Sequence, residues 1–90
     1  MLNPAQRKSL KARAHSLEPV VIIGGRGLTD EVLAEIDRAL HVHELIKIRA
    51  AALERGEREE ALAAICDRTG AQAVQHIGKV LVLYRKNDEP

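Results

Sequence analysis

The feature that most restricts this chain is the stretch Val20-Val21-Ile22-Ile23-Gly24-Gly25-Arg26-Gly27-Leu28-Thr29. Four β-branched residues in succession favour a short strand, here expected to be buried on both faces, and are too few for a helix of their own. Gly24, Gly25 and Gly27 then free the backbone to turn sharply and leave its N–H groups uncovered, so that a ligand can come close. Thr29 is placed to cap a following helix, and Leu28 before it can pack on Leu33 as a hydrophobic staple. A strand, a glycine turn and a helix therefore come as one unit, and the rest of the chain must hold that unit in place.

The other elements follow from caps and periodicity. Asn3-Pro4 with Gln6 three residues on reads as a capping box, predicting a helix to about Ser16. Leu10, Ala14 and Leu17 form its apolar stripe, and Arg7, Lys8, Lys11 and His15 fall within roughly 100° of arc on another face. Glu18-Pro19 ends it. A second helix is predicted from Thr29 to His41, with Val32, Leu33, Ile36 and Leu40 inward and Asp30 and Glu31 in its first turn. Leu45 to Ala50 alternates as a strand, with Lys47 and Arg49 on one face. Residues 51–56 are ambiguous and are read as a strand end and turn. A third helix is expected over Glu57 to Thr69, with Ala61, Leu62, Ile65 and Cys66 inward, an acidic outer face, and Gly70 just past its end. Ala73 to Ile77 and Val80 to Tyr84 read as a hairpin turning at Gly78-Lys79, and Val80-Leu81-Val82-Leu83 as a strand inside the sheet. The polar tail from Arg85 to Pro90 is expected to fray. The order α-β-α-β-α-β-β makes one α/β (α+β) domain over residues 1–90, a mixed four-stranded sheet covered by helices, with a parallel crossover between its first two strands.

Charge points to the class of partner. The net charge of +1 hides an asymmetry: residues 1–27 hold five Lys or Arg against one acid, residues 28–69 six against ten. Positive charge gathered at one end, with an arginine inside a G-x-x-G turn between strand and helix, suits a device that clamps a nucleic-acid backbone, as KH domains do. With no Trp, no Phe and one Tyr, recognition by stacking bases on aromatics is essentially unavailable, so phosphates, riboses and shape are expected to carry the binding. The expected RNA-binding residues are Gly24, Gly25, Arg26 and Gly27, with Arg7, Lys8, Lys11, Lys47 and Arg49 around them. Asp30 and Glu31 argue against a phosphate directly on the helix start, which leaves the grip to the loop. Taken alone, Arg7, Lys8 and Lys11 read more readily as solvated helix residues, and the stems of Lys47 and Arg49 could snorkel from beneath a helix.

Other chemistries find little support. Gly78-Lys79 is followed by Val80 rather than the Ser or Thr of a P-loop, the glycine turn lacks a dinucleotide fingerprint's third glycine, and no Ser/His/Asp or paired-carboxylate set stands out. The expectation is no enzyme, no cofactor and no small-molecule substrate. His41 and His43 lack a third ligand at metal-binding spacing and read as structural, whereas His15 could touch phosphate or cap its helix. Single Cys66 reads as a core residue. Apolar runs of five or six residues are too short for a membrane span, so the expected setting is the cytoplasm. A protein-interaction module, using the acidic third helix, is the alternative.

The sequence also resembles the CRM domain (chloroplast RNA splicing and ribosome maturation), in particular the small bacterial YhbY-like members. The resemblance rests on His15, Leu17, Pro19-Val20-Val21, the block Ile23 to Thr29, Val32-Leu33, Glu35-Ile36, Ala39-Leu40, His43 to Ile48 and Ile77 to Arg85; residues 51–69 depart from it. It implies a fold like the C-terminal domain of translation initiation factor three, RNA binding without catalysis, and association with rRNA in precursors of the large ribosomal subunit. It also implies that Gly24 to Gly27 is the family's G-x-x-G loop and that His43 and Glu44 shape the junction they occupy.

Overall fold

The computed structural model describes residues 2–87. The first helix, α1, runs Pro4–Ala14 and starts as its sequence dictates. The Asn3 side chain accepts the Gln6 N–H at 2.7 Å, and Gln6 Oε1 accepts the Asn3 N–H at 2.9 Å. Strand β1 is Val21–Ile22, helix α2 Asp30–His43, and strand β2 Leu45–Arg49. Helix α3 covers Arg55–Thr69, two residues earlier than the periodicity predicts, because Glu57 accepts the Glu54 N–H at 2.7 Å and closes the first turn there. Gly70 ends it at φ +76°, a conformation that a Cβ would strain. The hairpin pairs β3, Gln72–Ile77, with β4, Val80–Tyr84, through a two-residue turn.

The sheet order is β1-β2-β4-β3. β1 runs parallel to β2, with Val21 opposite Ile48 and Ile22 opposite Arg49; β4 is antiparallel to both β2 and β3. Helices α2 and α3 cover one face, where Val21, Ile23, Ile36, Leu40, Ile46, Ile48, Ile65, Leu81 and Leu83 form the main core. Helix α1 lies across β2, β3 and β4 on the other face, with Leu10 and Ala14 against Leu45, Val74 and Val82. The central strand β4 is therefore buried on both sides, as its unbroken apolar run requires.

Strand β1 departs from expectation. It is an edge strand shorter than predicted, and it alternates instead of being buried on both faces: Ile22 is 68% exposed and Val20 45%, while Val21 and Ile23 are sealed in the core. The reason is that α1 does not reach over it. The same shortfall leaves Leu17, expected in the α1 stripe, at the surface beyond the helix end.

The tail is also corrected in part. Arg85 and Asn87 are docked on the end of α2. The Arg85 guanidinium donates to Asp37 Oδ1 at 2.6 Å and to the Thr69 carbonyl at 2.9 Å, bridging the two helices. The Glu44 carbonyl accepts the Arg85 N–H at 2.9 Å, and its carboxylate accepts the Asn87 N–H at 2.9 Å. These bonds stabilise Glu44 at φ +63°, a strained position for a non-glycine residue and the pivot from α2 into β2. Residues 88–90 lie outside the described residues.

In urea denaturation, Ile36→Ala should cost about 2–5 kcal/mol, the range for emptying a fully buried aliphatic site. Val42→Ala, on the exposed side of the same helix, should stay within about 0.5 kcal/mol of the parent.

Candidate nucleic-acid interface

The glycine loop hangs between two anchors. On one side Ile23, fully buried, donates its N–H to the Arg49 carbonyl at 2.8 Å; on the other Leu28 packs against the main core. Between them the Gly27 N–H bonds the Gly24 carbonyl at 3.0 Å, with Gly27 at φ +77°. Thr29 then starts α2 by accepting the Val32 N–H at 3.1 Å. Gly24, Gly25 and Arg26 are exposed, and their N–H groups meet no backbone acceptor among the described residues. A Cβ built at Gly24 or Gly25 would touch nothing within 4 Å. Arg26 has no ion-pair partner among the described residues. The loop borders a depression of about 410 Å³ that also takes in Thr29, Glu31 and Val32. Glu31 there, and Asp30 before it, oppose an anion seated on the α2 start, so donors for a phosphate must come from the loop itself.

The remaining cations are sorted by the tertiary structure. Lys47 and Arg49 share the α1 face of the sheet, as their alternation predicts. A second depression, of about 480 Å³ between α1 and the sheet, gathers Lys11, His15 and Lys47 beside Ile77 and Val80. Lys8 is exposed on α1 outside both depressions. Arg7 does something else: its guanidinium turns inward and donates to the carbonyls of Ala73 and Val74, the latter at 3.2 Å. Those carbonyls sit where the β3–β4 register slips, so Arg7 braces an irregular strand and is not a free cation like its neighbours. Lys79, which sequence reasoning passed over, stands exposed in the hairpin turn, its carbonyl accepting the Ala50 N–H at 2.8 Å. The hairpin thus brings it to the end of the sheet where Arg49 lies; only the strand order could have shown this.

His15 sits at the C-cap of α1, its N–H bonded to the Lys11 carbonyl at 3.1 Å. His41 and His43 are exposed near the end of α2, and no group of three metal-ligating side chains is found among the described residues. Cys66 packs against the main core, and burial pushes its thiol pKa up. Among the described residues no helix is long and apolar enough to cross a membrane.

Residues 2–85 match the family model of the CRS1/YhbY (CRM) domain. The chain belongs to this family. It is 45% identical over 89 residues to a protein of Pseudomonas aeruginosa named a probable RNA-binding protein, a match spanning 99% of this chain and 86% of that one. It is 49% identical over 88 residues to an RNA-binding protein of Haemophilus influenzae, spanning 98% and 89%. Its fold is similar to the solution structure of a Staphylococcus aureus protein, with a TM-score of 0.87 and 30% identity, covering 99% of this chain and 93% of that one. In this CRM domain the G-x-x-G block forms the strand-to-helix loop, and Glu44 of the His-Glu-Leu-Ile-Lys block forms the turn into β2.

The placement of Arg7 separates two kinds of cation. Arg7→Ala should lower stability by about 1–3 kcal/mol in thermal or urea melts, since two carbonyls lose a charged donor. Lys11→Ala should leave the melting temperature unchanged.

Proposed function

We propose that this CRM domain binds RNA by its sugar–phosphate backbone through the loop Gly24 to Gly27, as a non-catalytic factor in assembly of the large ribosomal subunit in the cytoplasm. The loop amides and Arg26 grip phosphate. Lys47, Arg49 and Lys11 continue the track, with Lys8 further out on α1. Folded rRNA shape supplies the selectivity. The observation that carries this reading is the loop itself: uncovered N–H groups and an arginine with no ion-pair partner among the described residues, held out between buried Ile23 and half-buried Leu28. Such a clamp is already ordered before the ligand arrives, so little conformational entropy is lost on binding. The names of the Pseudomonas and Haemophilus relatives support RNA as the partner, and the family resemblance supports rRNA of large-subunit precursors.

Binding through four or five cations should fall with salt at a log–log slope of about −3, from displaced counterions. Gly25→Asp places a carboxylate in open space and Arg26→Glu reverses the tip charge; both should bind RNA at least about tenfold more weakly, with unchanged melting temperature. In cells, Arg26→Glu should also no longer sediment with large-subunit precursors. Wild-type affinity in both variants would remove the loop from the site.

The second reading is a module docking on a ribosomal protein or assembly factor. Its support is the exposed acidic outer surface of α3, with Glu57, Glu59, Glu60 and Asp67. Retention on precursor particles after nuclease digestion would favour it over direct RNA contact.

A further inference from the structure

The uncovered part of the sheet has a composition that the backbone clamp does not use. The register sets Ile22, Arg49, Val80 and Ile77 side by side across all four strands, on the face that α1 covers only elsewhere. Ile22 is 68% exposed and Ile77 57%, although both belong to strands of a packed domain. Lys47 stands one row back, and Lys11 faces it from α1 across the depression that Ile77 and Val80 also line. No carboxylate belongs to either row. At strand spacing the row is about 14 Å across, close to the span on which a sheet holds two or three bases. It lies at the end of the sheet from which the glycine loop leaves, since Ile22 is two residues before Gly24.

We propose that this aliphatic row is a platform for unpaired nucleobases, so that the preferred ligand is single-stranded RNA whose phosphates lie on Lys47, Arg49 and the loop. The proposal rests on the RNA-binding reading above and adds the ligand's strandedness. Unpaired bases offer flat apolar faces between phosphates, and the row answers with three apolar side chains, Ile22, Val80 and Ile77, around the single cation Arg49, with Lys47 one row back. A duplex hides those faces, and its A-form surface of riboses and phosphates would leave Ile22 and Ile77 against polar atoms. Aliphatic contacts of this kind read no base edges, so binding should tolerate sequence changes. An exposed apolar patch flanked by cations without acids also fits a polyanion better than an acidic-rimmed protein surface would allow.

The test uses the whole protein with oligouridine, the same oligomer as its duplex with oligoadenosine, and an abasic oligomer of equal length. Wild type should prefer oligouridine to both. Ile22→Ser/Ile77→Ser should weaken oligouridine about tenfold, to the abasic level, with an unchanged salt slope because no phosphate contact is lost. Ile22→Thr/Ile77→Thr, which keeps β-branched side chains in the strands, replaces that pair if it melts early, and Ile→Val at both sites should restore binding. Arg26→Glu should weaken all ligands alike. If the double variants hold oligouridine as tightly as wild type while Arg26→Glu does not, the platform is wrong and the loop stands. Wild-type preference for the duplex also overturns the platform.

Discussion

The packing of buried Ile23 and half-buried Leu28 against one core, on either side of the exposed Gly24, Gly25 and Arg26, is the constraint on which the rest of this structure depends. A glycine-rich segment alone would sample many conformations and lose that freedom on gripping a ligand. Here the chain enters from a sheet hydrogen bond and leaves into a capped helix, and both ends are sunk in the same core. Only the Gly24–Gly27 turn is left to choose, and its own hydrogen bond narrows that choice. The main core thus serves the loop as well as stability: emptying Ile36 or Ile48 would loosen the floor that the anchors stand on.

Coverage of the sheet is unequal, and the inequality organises the surface. Two helices cover one face along all four strands, whereas α1 covers only the part of the other face around Leu45, Val74 and Val82. Eleven helical residues cannot cover four strands, so one end stays open beside the glycine loop. The cations that gather there come from four separate segments: α1, the loop, β2 and the hairpin. In a chain whose formal charge is only +1, function depends on where the charges are brought, since most of the acids within residues 28–69 lie on α2 and α3 while the open end of the sheet collects cations.

Much of the fold was legible because its signals are local. Asn3-Pro4-Gln6, Thr29, Gly70 and the two-residue turn at Gly78-Lys79 each act over a few residues, and the elements they bound stand close to where their caps and periods put them. The misreadings share one cause. Val20 to Ile23 looked buried on both faces, and the residues from Arg85 looked loose, because burial of a segment depends on partners distant in the chain. Arg7 looked like one more cation of the helix, yet the bulge in β3, sixty-six residues away, presents carbonyls to it.

The sequence by itself determined the order of elements, the glycine turn with its arginine, the alternation that sets Lys47 and Arg49 on one face, and membership of the CRM family, since each is a matter of residue type and spacing along the chain. Only the tertiary structure decided that Lys79 joins those cations, that Arg7 leaves them, and that Ile22 and Ile77 lie uncovered in one row with Arg49 and Val80. Strand order and the reach of α1 over the sheet settle those points, and both arise from contacts between segments far apart in sequence.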